Sequence, residues 1–455
     1  MMDTRTAFTI WNDELDGILS PLFFISKPVS SKGYIALKEV AEINPSRKKP
    51  IYVNEMIVPY VGLPETDDQR IKEIWMRPFR QVKGRNIIHK GDILFARIEP
   101  SVFNKKYIYV EDLKDNDFAF TSTEFYIVEP KENINPLFLF HMFFVQPVYY
   151  QVKGKTTGST GRRRLDKGVF EKILIPYPNR KVQDKIVNYL CKAYEQKRKK
   201  EDEIKKIHSS IDDYILRVLD IKMPKWEIDR VYETWSDKIV GRIDPSFYSP
   251  YFDKLADTIG SRINMALEKI IEFSNETWDQ KSIFDDDFPY IEIGGINLST
   301  GNIDEIKQMA VDEAPSRAKM VVRKNDLIVS TTRPSRGAIA KINEAHDQSI
   351  ASTGFAVLRE MKTDKLSKDF LLAMLRSVLS LKQMEQRMTG GNYPAITVED
   401  LKQIRIVIPD RSKQKKIVEY IESSYSKAQM LQVRAAEILS SAQKEVEHMV
   451  LSKLN

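Results

Sequence analysis

The amino-acid sequence repeats itself once at long range, and this repeat constrains the fold more than any other feature. The segment RKVQDKIVNYL at 180–190 recurs as RSKQKKIVEYI at 411–421, with six of eleven positions identical. Other segments recur in the same order, among them KGDILFARI (90–98) with KNDLIVSTT (324–332) and TTGSTG (156–161) with MTGGNY (388–393). Because an offset near 231 residues is far longer than a solenoid repeat, the sequence predicts two copies of one module.

The first part of each copy has the pattern of a mixed α/β globule. Short β-rich runs such as FAFTSTEFYIV and SIASTGFAVL alternate with turns, as is typical of strands. One helix is predicted to interrupt each copy, at 136–153 in the first and at 367–388 in the second. Each globule then closes with a short buried strand that ends at Pro176 or Pro409.

The second part of each copy has the pattern of a long helix. Positions spaced alternately by four and three residues run from Ile186 to Val218 and from Ile417 to Met449, and eight of ten are apolar in each run. This spacing predicts two helices that pack along a coiled-coil seam. The alternative is two ordinary amphipathic helices, each lying on its own globule. The seam residues are predicted to be Ile186, Leu190, Ile204, Ile207, Ile211, Ile417, Ile421, Leu431 and Ile438.

The order of these parts predicts the topology. If the two helices pair with each other, they run antiparallel, and the globules lie at opposite ends, related by a pseudo-two-fold axis. The predicted boundaries are a first globule at 13–180, a first long helix at 181–220, a linker at 221–241, a second globule at 242–410 and a second long helix at 411–455.

Composition narrows the choice of compartment and partner. The formal net charge is +7, and residues 161–206 alone hold 15 basic and 7 acidic residues, which favours a polyanionic partner. The single cysteine, Cys191, suits a reducing compartment, so we expect a cytoplasmic protein. The longest apolar run, at 137–145, is too short to span a bilayer, and no membrane partner is expected.

The motifs of common catalytic sites are absent from the sequence. Gly154-Lys155-Thr156 resembles the end of a nucleotide-binding loop, but the first position of that motif is Tyr149 and helical sequence precedes it. There is no acid-x-Lys pair after Pro409-Asp410 for a nuclease, and no tetrapeptide that holds a base for methylation. The five histidines are scattered, so no metal site is expected. The sequence therefore favours binding without catalysis.

Basic and Gly/Ser/Thr-rich loops occur at similar positions in both copies. Such turns offer backbone amides to phosphates, while Arg and Asn can read base edges. Two similar modules could contact duplex DNA at two half-sites; the alternative is ordinary solvent-exposed loop charge. The candidate DNA-binding residues are Arg97, Lys105, Lys106, Thr157, Gly158, Ser159, Thr160, Arg162, Arg163 and Arg164 in the first copy, and Arg333, Arg336, Thr389, Gly390, Gly391, Asn392 and Tyr393 in the second.

The order of globule, helix, globule and helix over residues 13–455 resembles the specificity subunit of type I restriction–modification enzymes. The junction of a Gly-rich loop, a strand ending in proline and a Gln-x-Lys-Ile-Val helix carries the resemblance. It implies that each globule is a target-recognition domain for one half of a split DNA site. It also implies that the helices space the globules and dock partner subunits. The residues implied in docking are Gln183, Lys185, Gln414 and Lys416.

The same resemblance assigns the chemistry to other chains. Two methyltransferase subunits would bring S-adenosylmethionine, and a translocase–nuclease subunit would bring ATP and Mg for cleavage, so no cofactor is expected on this chain. Because the two globules differ in sequence, an asymmetric double-stranded DNA target is expected. Two alternatives stay open: the recognition subunit of a two-chain methylase–nuclease that cuts on both sides of its site, and a coiled-coil adaptor that never touches DNA.

Overall fold

A computed structural model describes residues 33–454, apart from residues 49, 51, 68, 154, 159–162, 227–231, 235–238, 240, 243 and 280–283. Residues 13–32 of the predicted first globule and part of the predicted linker therefore lie outside the described residues. The chain divides into two compact units. Unit 1 comprises Met1–Lys199 and Arg434–Asn455, and unit 2 comprises Lys200–Val433.

Unit 1 contains fourteen described strands and five described short helices. The strands are β1 (Tyr34–Ala36), β2 (Ala41–Ile43), β3 (Ile57–Val61), β4 (Thr66–Asp67), β5 (Arg70–Ile71), β6 (Trp75–Pro78), β7 (Asn86–Ile88), β8 (Ile93–Ala96), β9 (Tyr107–Tyr109), β10 (Ala119–Thr121), β11 (Phe125–Pro130), β12 (Thr156–Thr157), β13 (Arg164–Leu165) and β14 (Leu174–Pro176). The short helices are α1 (Leu37–Val40), α2 (Phe79–Val82), α3 (Pro136–Met142), α4 (Gln146–Tyr149) and α5 (Lys167–Glu171).

Two four-stranded sheets form the centre of this globule. One has the order β6-β3-β10-β7, with β3 and β10 parallel, and the other has the order β2-β11-β8-β9. Strand β8 is buried on both faces: Ile93 and Phe95 join the core that contains Tyr107 and Phe170, whereas Leu94 and Ala96 join a second cluster. This double burial explains the unbroken apolar run in the sequence of β8.

The long helices are α6 (Arg180–Leu219) and α11 (Arg411–Leu454). Between them, unit 2 contains ten described strands and four described short α-helices. The strands are β15 (Asn264–Ala266), β16 (Ile271–Ser274), β17 (Asp287–Ile291), β18 (Lys307–Ala310), β19 (Ala318–Val321), β20 (Leu327–Ser330), β21 (Ile339–Lys341), β22 (Ile350–Ser352), β23 (Phe355–Met361) and β24 (Arg405–Val407). The short helices are α7 (Pro250–Gly260), α8 (Lys368–Arg376), α9 (Val378–Arg387) and α10 (Val398–Lys402).

The sheets of unit 2 repeat the topology of unit 1. Their orders are β18-β17-β22-β19, with β17 and β22 parallel, and β16-β23-β20-β21. The pair β15-β24 corresponds to β1-β14, which joins the start of each globule to its last strand. The predicted duplication and the mixed α/β class are confirmed. The final strand of unit 1 ends at Pro176, as predicted, whereas that of unit 2 ends at Val407, two residues before Pro409.

The prediction of one helix in each globule is wrong, because each helix is broken in two. Val145 and Ser377 have extended backbone and separate α3 from α4 and α8 from α9. At each break, the backbone N–H of the first residue of the second helix has no acceptor within a helix and binds a carboxylate instead. The Val378 N–H donates to the Asp212 carboxylate on α6 at 2.8 Å, and the Gln146 N–H donates to the Glu447 carboxylate on α11 at 3.0 Å. A carboxylate at a helix N-terminus is stabilising.

The pairing of the long helices is seen within each unit. In unit 1, Ile186 and Leu190 of α6 share a hydrophobic core with Val446 and Val450 of α11. In unit 2, the rings of Tyr214 and Tyr420 stack with centroids 3.7 Å apart, and those of His208 and Tyr425 lie 5.9 Å apart. The Lys427 ammonium lies 3.3 Å from the Glu203 carboxylate. Along this series the residue number on α6 falls while that of its partner on α11 rises, so the pairing is antiparallel, as predicted.

The seam drifts from the strict heptad towards the C-terminal end of each helix. In α6, Ile215 and Leu219 are buried beside the predicted Ile211, and in α11, Val446 and Val450 are buried whereas Glu445 is exposed. Four-residue steps replace the alternation of four and three because a straight helix has 3.6 residues per turn rather than 3.5. The other predicted seam residues, including Ile204, Ile207, Ile421 and Ile438, are partly buried, and Leu431 is buried.

A buried carboxylate organises the second sheet of each globule, but its ion pair has reversed polarity between the copies. In unit 1, Arg47 contacts Asp92 at 2.8 Å and Glu129 of β11 at 2.7 Å. In unit 2 the charges are exchanged: Arg359 of β23 contacts Asp326 at 3.0 Å and pairs with Glu276, which follows β16. Val128 and Leu358 occupy matching registers, so Glu129 and Arg359 are counterparts.

Replacing Arg359 by Met should lower the free energy of unfolding by about 3 kcal/mol, because the buried Asp326 carboxylate then lacks its guanidinium partner. Arg47→Met should have an effect of similar size through Asp92. Denaturant unfolding of the full chain measures both. The control is Lys205→Met on the exposed face of α6, for which we expect a change within about 0.5 kcal/mol. A loss below about 1 kcal/mol for both arginine variants would contradict the assigned role.

His141 should make the stability of unit 1 depend on pH. Burial lowers the pKa of His141 to about 4, and its ring stacks on Tyr194 of α6 with centroids 5.3 Å apart. The unfolded chain therefore binds a proton below about pH 6.5 that the folded chain binds only near pH 4, and protonation favours unfolding. Between pH 7.5 and pH 5 we expect a loss of about 2 kcal/mol from this group.

The test compares the natural chain with His141→Leu, whose apolar side chain is of similar size and does not titrate. The difference between the urea midpoints at pH 7.5 and pH 5 should be smaller in the variant than in the natural chain. The reduction should equal the contribution of His141. An unchanged difference between the two midpoints would show that other groups carry the pH dependence.

Candidate nucleic-acid interface

Strands β12 and β13 form a short two-stranded β-tongue in unit 1, and we call its described residues, 156–158 and 163–165, the first tongue. Its strands β12 and β13 pair Thr156 with Leu165 and Thr157 with Arg164. Two backbone hydrogen bonds anchor it to the loop after β8. The Leu165 N–H donates to the Arg97 carbonyl at 2.8 Å, and the Glu99 N–H donates to the Arg163 carbonyl at 3.1 Å.

The second tongue, residues 389–396, has the same anchoring in unit 2. Thr389 and Ala395 exchange both backbone hydrogen bonds at 2.9 Å. The Ile396 N–H donates to the Thr331 carbonyl at 2.9 Å, and the Arg333 N–H donates to the Pro394 carbonyl at 2.7 Å. In both units the Gly-rich turn and the basic loop predicted from the sequence therefore lie side by side.

Glycine permits the tight path at the start of each tongue. Gly158 has a φ of 122° and Gly390 a φ of 98°, in a region that side chains with a Cβ rarely adopt. A Cβ on Gly390 would also lie 3.3 Å from the Tyr393 carbonyl oxygen. Both turns are exposed at these positions, as are Thr157, Thr389, Gly391 and Asn392. The predicted residues Ser159, Thr160 and Arg162 lie outside the described part of the chain.

Two arginines of the first tongue, Arg163 and Arg164, are paired with carboxylates of their own globule. Arg164 donates two hydrogen bonds to Glu124, at 2.9 Å from Nε and 2.6 Å from Nη2. Its pKa is raised by that hydrogen-bonded carboxylate. Arg163 lies 3.5 Å from the Glu99 carboxylate and donates to the Thr156 carbonyl at 2.9 Å. These pairs fix the tongue to the sheet and offset much of its positive charge.

In the second tongue, an arginine replaces the glutamate that pairs with Arg163 in the first tongue. Thr332 and Ile98 form equivalent β-bridges to the two tongues, so Arg333 stands where unit 1 has Glu99. The Arg333 guanidinium donates to the Asn392 carbonyl at 2.7 Å and lies 5.0 Å from the centre of the Tyr393 ring. Tyr393 is 76% exposed, and Arg336 is exposed as well. The second tongue therefore presents cationic and aromatic groups to solvent.

Three predicted basic residues of unit 1 contact their own globule. The Arg97 guanidinium lies 4.8 Å from the Tyr126 ring centre, and Lys105 Nζ lies 3.3 Å from the Phe144 carbonyl oxygen. Burial lowers the pKa of Lys105. Lys106 donates to the Leu63 carbonyl. These side chains hold the loop after β8 in place, and contact of the three with DNA stays a prediction.

The two glutamines predicted to dock partners are buried at the starts of the long helices. The Gln183 amide accepts from the Asn135 N–H at 2.8 Å and donates to the Pro178 carbonyl at 2.8 Å. Gln414 donates to the Lys365 and Pro409 carbonyls at 2.8 and 3.0 Å. Both attach a helix to its globule. Lys185 and Lys416 are exposed, so the docking prediction rests on them.

Sequence reasoning missed the carboxylates that hold the first tongue, Glu99 and Glu124. The repeat contained one signal for them, because its alignment of KGDILFARI with KNDLIVSTT continues to place Glu99 opposite Arg333. Within the described residues, no group of three or more His, Cys, Asp or Glu side chains could hold a metal ion. A helix apolar and long enough to cross a bilayer was not found in the same residues.

Fold and site together define a duplicated recognition module, in which two globules of one topology present tongues of different chemistry. The family described as the type I restriction modification DNA specificity domain matches residues 31–207 and 264–440. The chain belongs to this family, and each matched region contains one globule together with the start of its long helix.

Curated relatives match shorter stretches. The type I restriction enzyme HindI specificity subunit of Haemophilus influenzae is 28% identical over 113 residues, which are 24% of this chain and 24% of that protein. The EcoEI specificity subunit of Escherichia coli is 28% identical over 179 residues, which are 36% of this chain and 29% of that protein. The matched stretches span about a quarter of these relatives' length.

A solved structure of a type I restriction–modification system, described in terms of complex assembly and conformational transition, has a similar fold. Its chain aligns with a TM-score of 0.51 and 18% identity over 93% of this chain and 97% of that one. The HsdS subunit of Thermoanaerobacter tengcongensis aligns over 92% of this chain and 96% of that chain at 19% identity, with a TM-score of 0.35. The first of these supports the fold assignment.

Replacing Gln183 by Leu should destabilise unit 1 by about 1–3 kcal/mol, because the Asn135 N–H and the Pro178 carbonyl lose their buried partner. The matched control is Lys185→Leu, two residues away and exposed, which should stay within about 0.5 kcal/mol. Thermal and denaturant unfolding measure both. Equal effects of the two variants would mean that the buried amide has no special role at the helix start.

Proposed function

We propose that the chain is the non-catalytic DNA-recognition subunit of a type I restriction–modification complex, and that each globule reads one half of a bipartite, asymmetric site. The observation that carries this proposal is the equivalence of the two tongues. They share the same backbone anchors but have different side chains at the exposed positions. Membership of a DNA specificity family supports the same function.

The tongues provide a physical basis for reading different half-sites. Asn and Arg side chains can form paired hydrogen bonds to adenine and guanine edges. In unit 2, Asn392 and Arg336 are exposed and available for such contacts. In unit 1, Arg163 and Arg164 are bound to Glu99 and Glu124, so a contact with phosphate requires exchange of these ion pairs. Because the two tongues differ in their side chains and in the free energy needed to break their own ion pairs, they favour an asymmetric target.

The long helices are proposed to space the two globules and to dock two methyltransferase subunits. Lys185 and Lys416 are exposed near the helix starts and would contribute to docking. The methyltransferases would bring S-adenosylmethionine, and a translocase–nuclease subunit would join with ATP and Mg for cleavage. The free thiol of Cys191 is exposed and suits the reducing cytoplasm, where we place the complex.

Two other functions have less support. A recognition subunit of a two-chain methylase–nuclease would use the same fold, but the matching family is the type I DNA specificity domain. A coiled-coil adaptor that never touches DNA would not need two globules with matched tongues. The partner chain distinguishes the first alternative, because a single partner with both nuclease and methylase motifs would favour it.

In the complex with methyltransferase subunits, Arg336→Ala should weaken target binding by roughly 5- to 150-fold, because it removes an exposed cation beside the second tongue. If Arg336 contacts a phosphate, the slope of log affinity against log salt should become shallower by about 1. Titration of labelled duplex at several salt concentrations measures both quantities. The control is Lys205→Ala on α6, whose Nζ lies 3.5 Å from Asp202 and which should leave binding unchanged.

Exchange of residues 33–178 for the matching part of a relative should change one half-site alone, as read by mapping methylated adenines in genomic DNA. A change in both halves would contradict modular reading. Failure of the wild-type complex to bind or methylate any specific duplex would contradict the proposed function itself.

A further inference from the structure

We propose that Tyr393 is an aromatic wedge, which stacks on a base of the bound DNA at the half-site read by unit 2. This inference rests on the proposed function and adds the role of a named side chain. It starts from the exposure of the side chain: 76% of Tyr393 is accessible to solvent, against 40% of Tyr189. Its ring lies at the tip of the second tongue.

The tip is held rigidly, although its side chain meets solvent. Hydrogen bonds flank Tyr393 on both sides, because Arg333 binds the Asn392 carbonyl through its guanidinium and the Pro394 carbonyl through its backbone N–H. The paired bonds between Thr389 and Ala395 close the base of the tongue. A residue that is fixed before binding loses less conformational entropy on association. This rigidity suits a side chain that must enter a narrow space between bases.

The backbone of Arg333 is strained at the position from which it makes these contacts. Its φ is +48°, a left-handed conformation that is uncommon for a residue with a side chain. Residues in such conformations persist where the surrounding structure fixes them, and they cluster at functional sites. Here the conformation places the guanidinium 5.0 Å from the ring centre. A cation over a tyrosine ring is attracted to its π-electrons, and the same cation attracts the phosphates that flank a base.

The chemistry of the tip favours a nucleobase over other partners. An exposed aromatic ring beside a cationic guanidinium combines a stacking surface with positive charge, and both features are used by proteins that bind unstacked bases. Side chains inserted between base steps also kink duplex DNA and expose the bases beside them. In the first tongue, the described residues Arg163 and Arg164 pair with carboxylates of the globule. The wedge is therefore assigned to unit 2.

The test uses the full chain assembled with its methyltransferase subunits, and a duplex that contains the mapped target. The fluorescent base 2-aminopurine is placed in turn at each adenine of the unit 2 half-site and, for comparison, of the unit 1 half-site. Binding of the natural complex should raise fluorescence at one step of the unit 2 half-site. Tyr393→Ala should abolish that rise and weaken binding by roughly 5- to 150-fold, whereas Tyr393→Phe should retain both.

A matched control is Leu298→Ala, which truncates a 48% exposed side chain in the same unit and should leave fluorescence and affinity unchanged. Tyr393→Ala with the natural fluorescence rise and affinity within twofold would overturn the wedge while DNA recognition stands. Loss of methyltransferase assembly with DNA binding intact would also overturn it, because Tyr393 would then contact protein. A natural complex that binds no target duplex would instead overturn the proposed function.

Discussion

In each unit, one hydrophobic core joins apolar side chains of the globule to apolar side chains of both long helices. In unit 1 the core runs from Phe95 and Phe170 in the globule to Ile186 on α6 and Val446 on α11. In unit 2 it runs from Leu327 and Phe370 to Ile215 and Ile417. Because close-packed cores transmit displacement rather than absorb it, the tongue of each unit is fixed relative to the helices of the same unit. The proposed contact of each tongue with DNA is thereby coupled mechanically to the long helices of the same unit.

Polar contacts at the core boundary strengthen this attachment. Asp212 and Glu447 each receive a backbone N–H from the broken helix of their own unit. Gln183 and Gln414 bind the backbone at the start of each long helix. The first of these contacts uses Asp in one copy and Glu in the other, whereas the second uses Gln in both. The two globules are therefore attached to the long helices in the same way, although their exposed tongues differ.

The sequence was sufficient to predict the parts whose signals are periodic or duplicated. The repeat predicted two globules of one topology, the spacing from Ile186 and Ile417 predicted the helix pair, and the Gly-rich segments predicted turns at the positions of the two tongues. These signals are local, or they compare one copy with the other. The elements therefore follow from patterns that a single chain displays without knowledge of its contacts.

The features that the sequence did not predict depend on contacts between distant residues. The break at Ser377 is stabilised by Asp212, which accepts the N–H of Val378 from 166 positions away in the chain. The charges of Arg163 and Arg164 predicted exposure to DNA, but Glu99 and Glu124 bind both side chains. Helical periodicity could not separate buried Gln183 from exposed Lys185, because the globule covers only one side of the helix start. Tertiary packing decided each of these cases.

The reversed ion pair of the second sheets limits how such chains can recombine. Arg47 faces Glu129 in unit 1, whereas Glu276 faces Arg359 in unit 2. A hybrid gene that joined the early strand of one globule to the late strands of the other would set Arg47 against Arg359, or Glu276 against Glu129, beside a buried aspartate. Like charges at that point oppose folding. New specificities should therefore arise by exchange of whole globules rather than by crossovers within them.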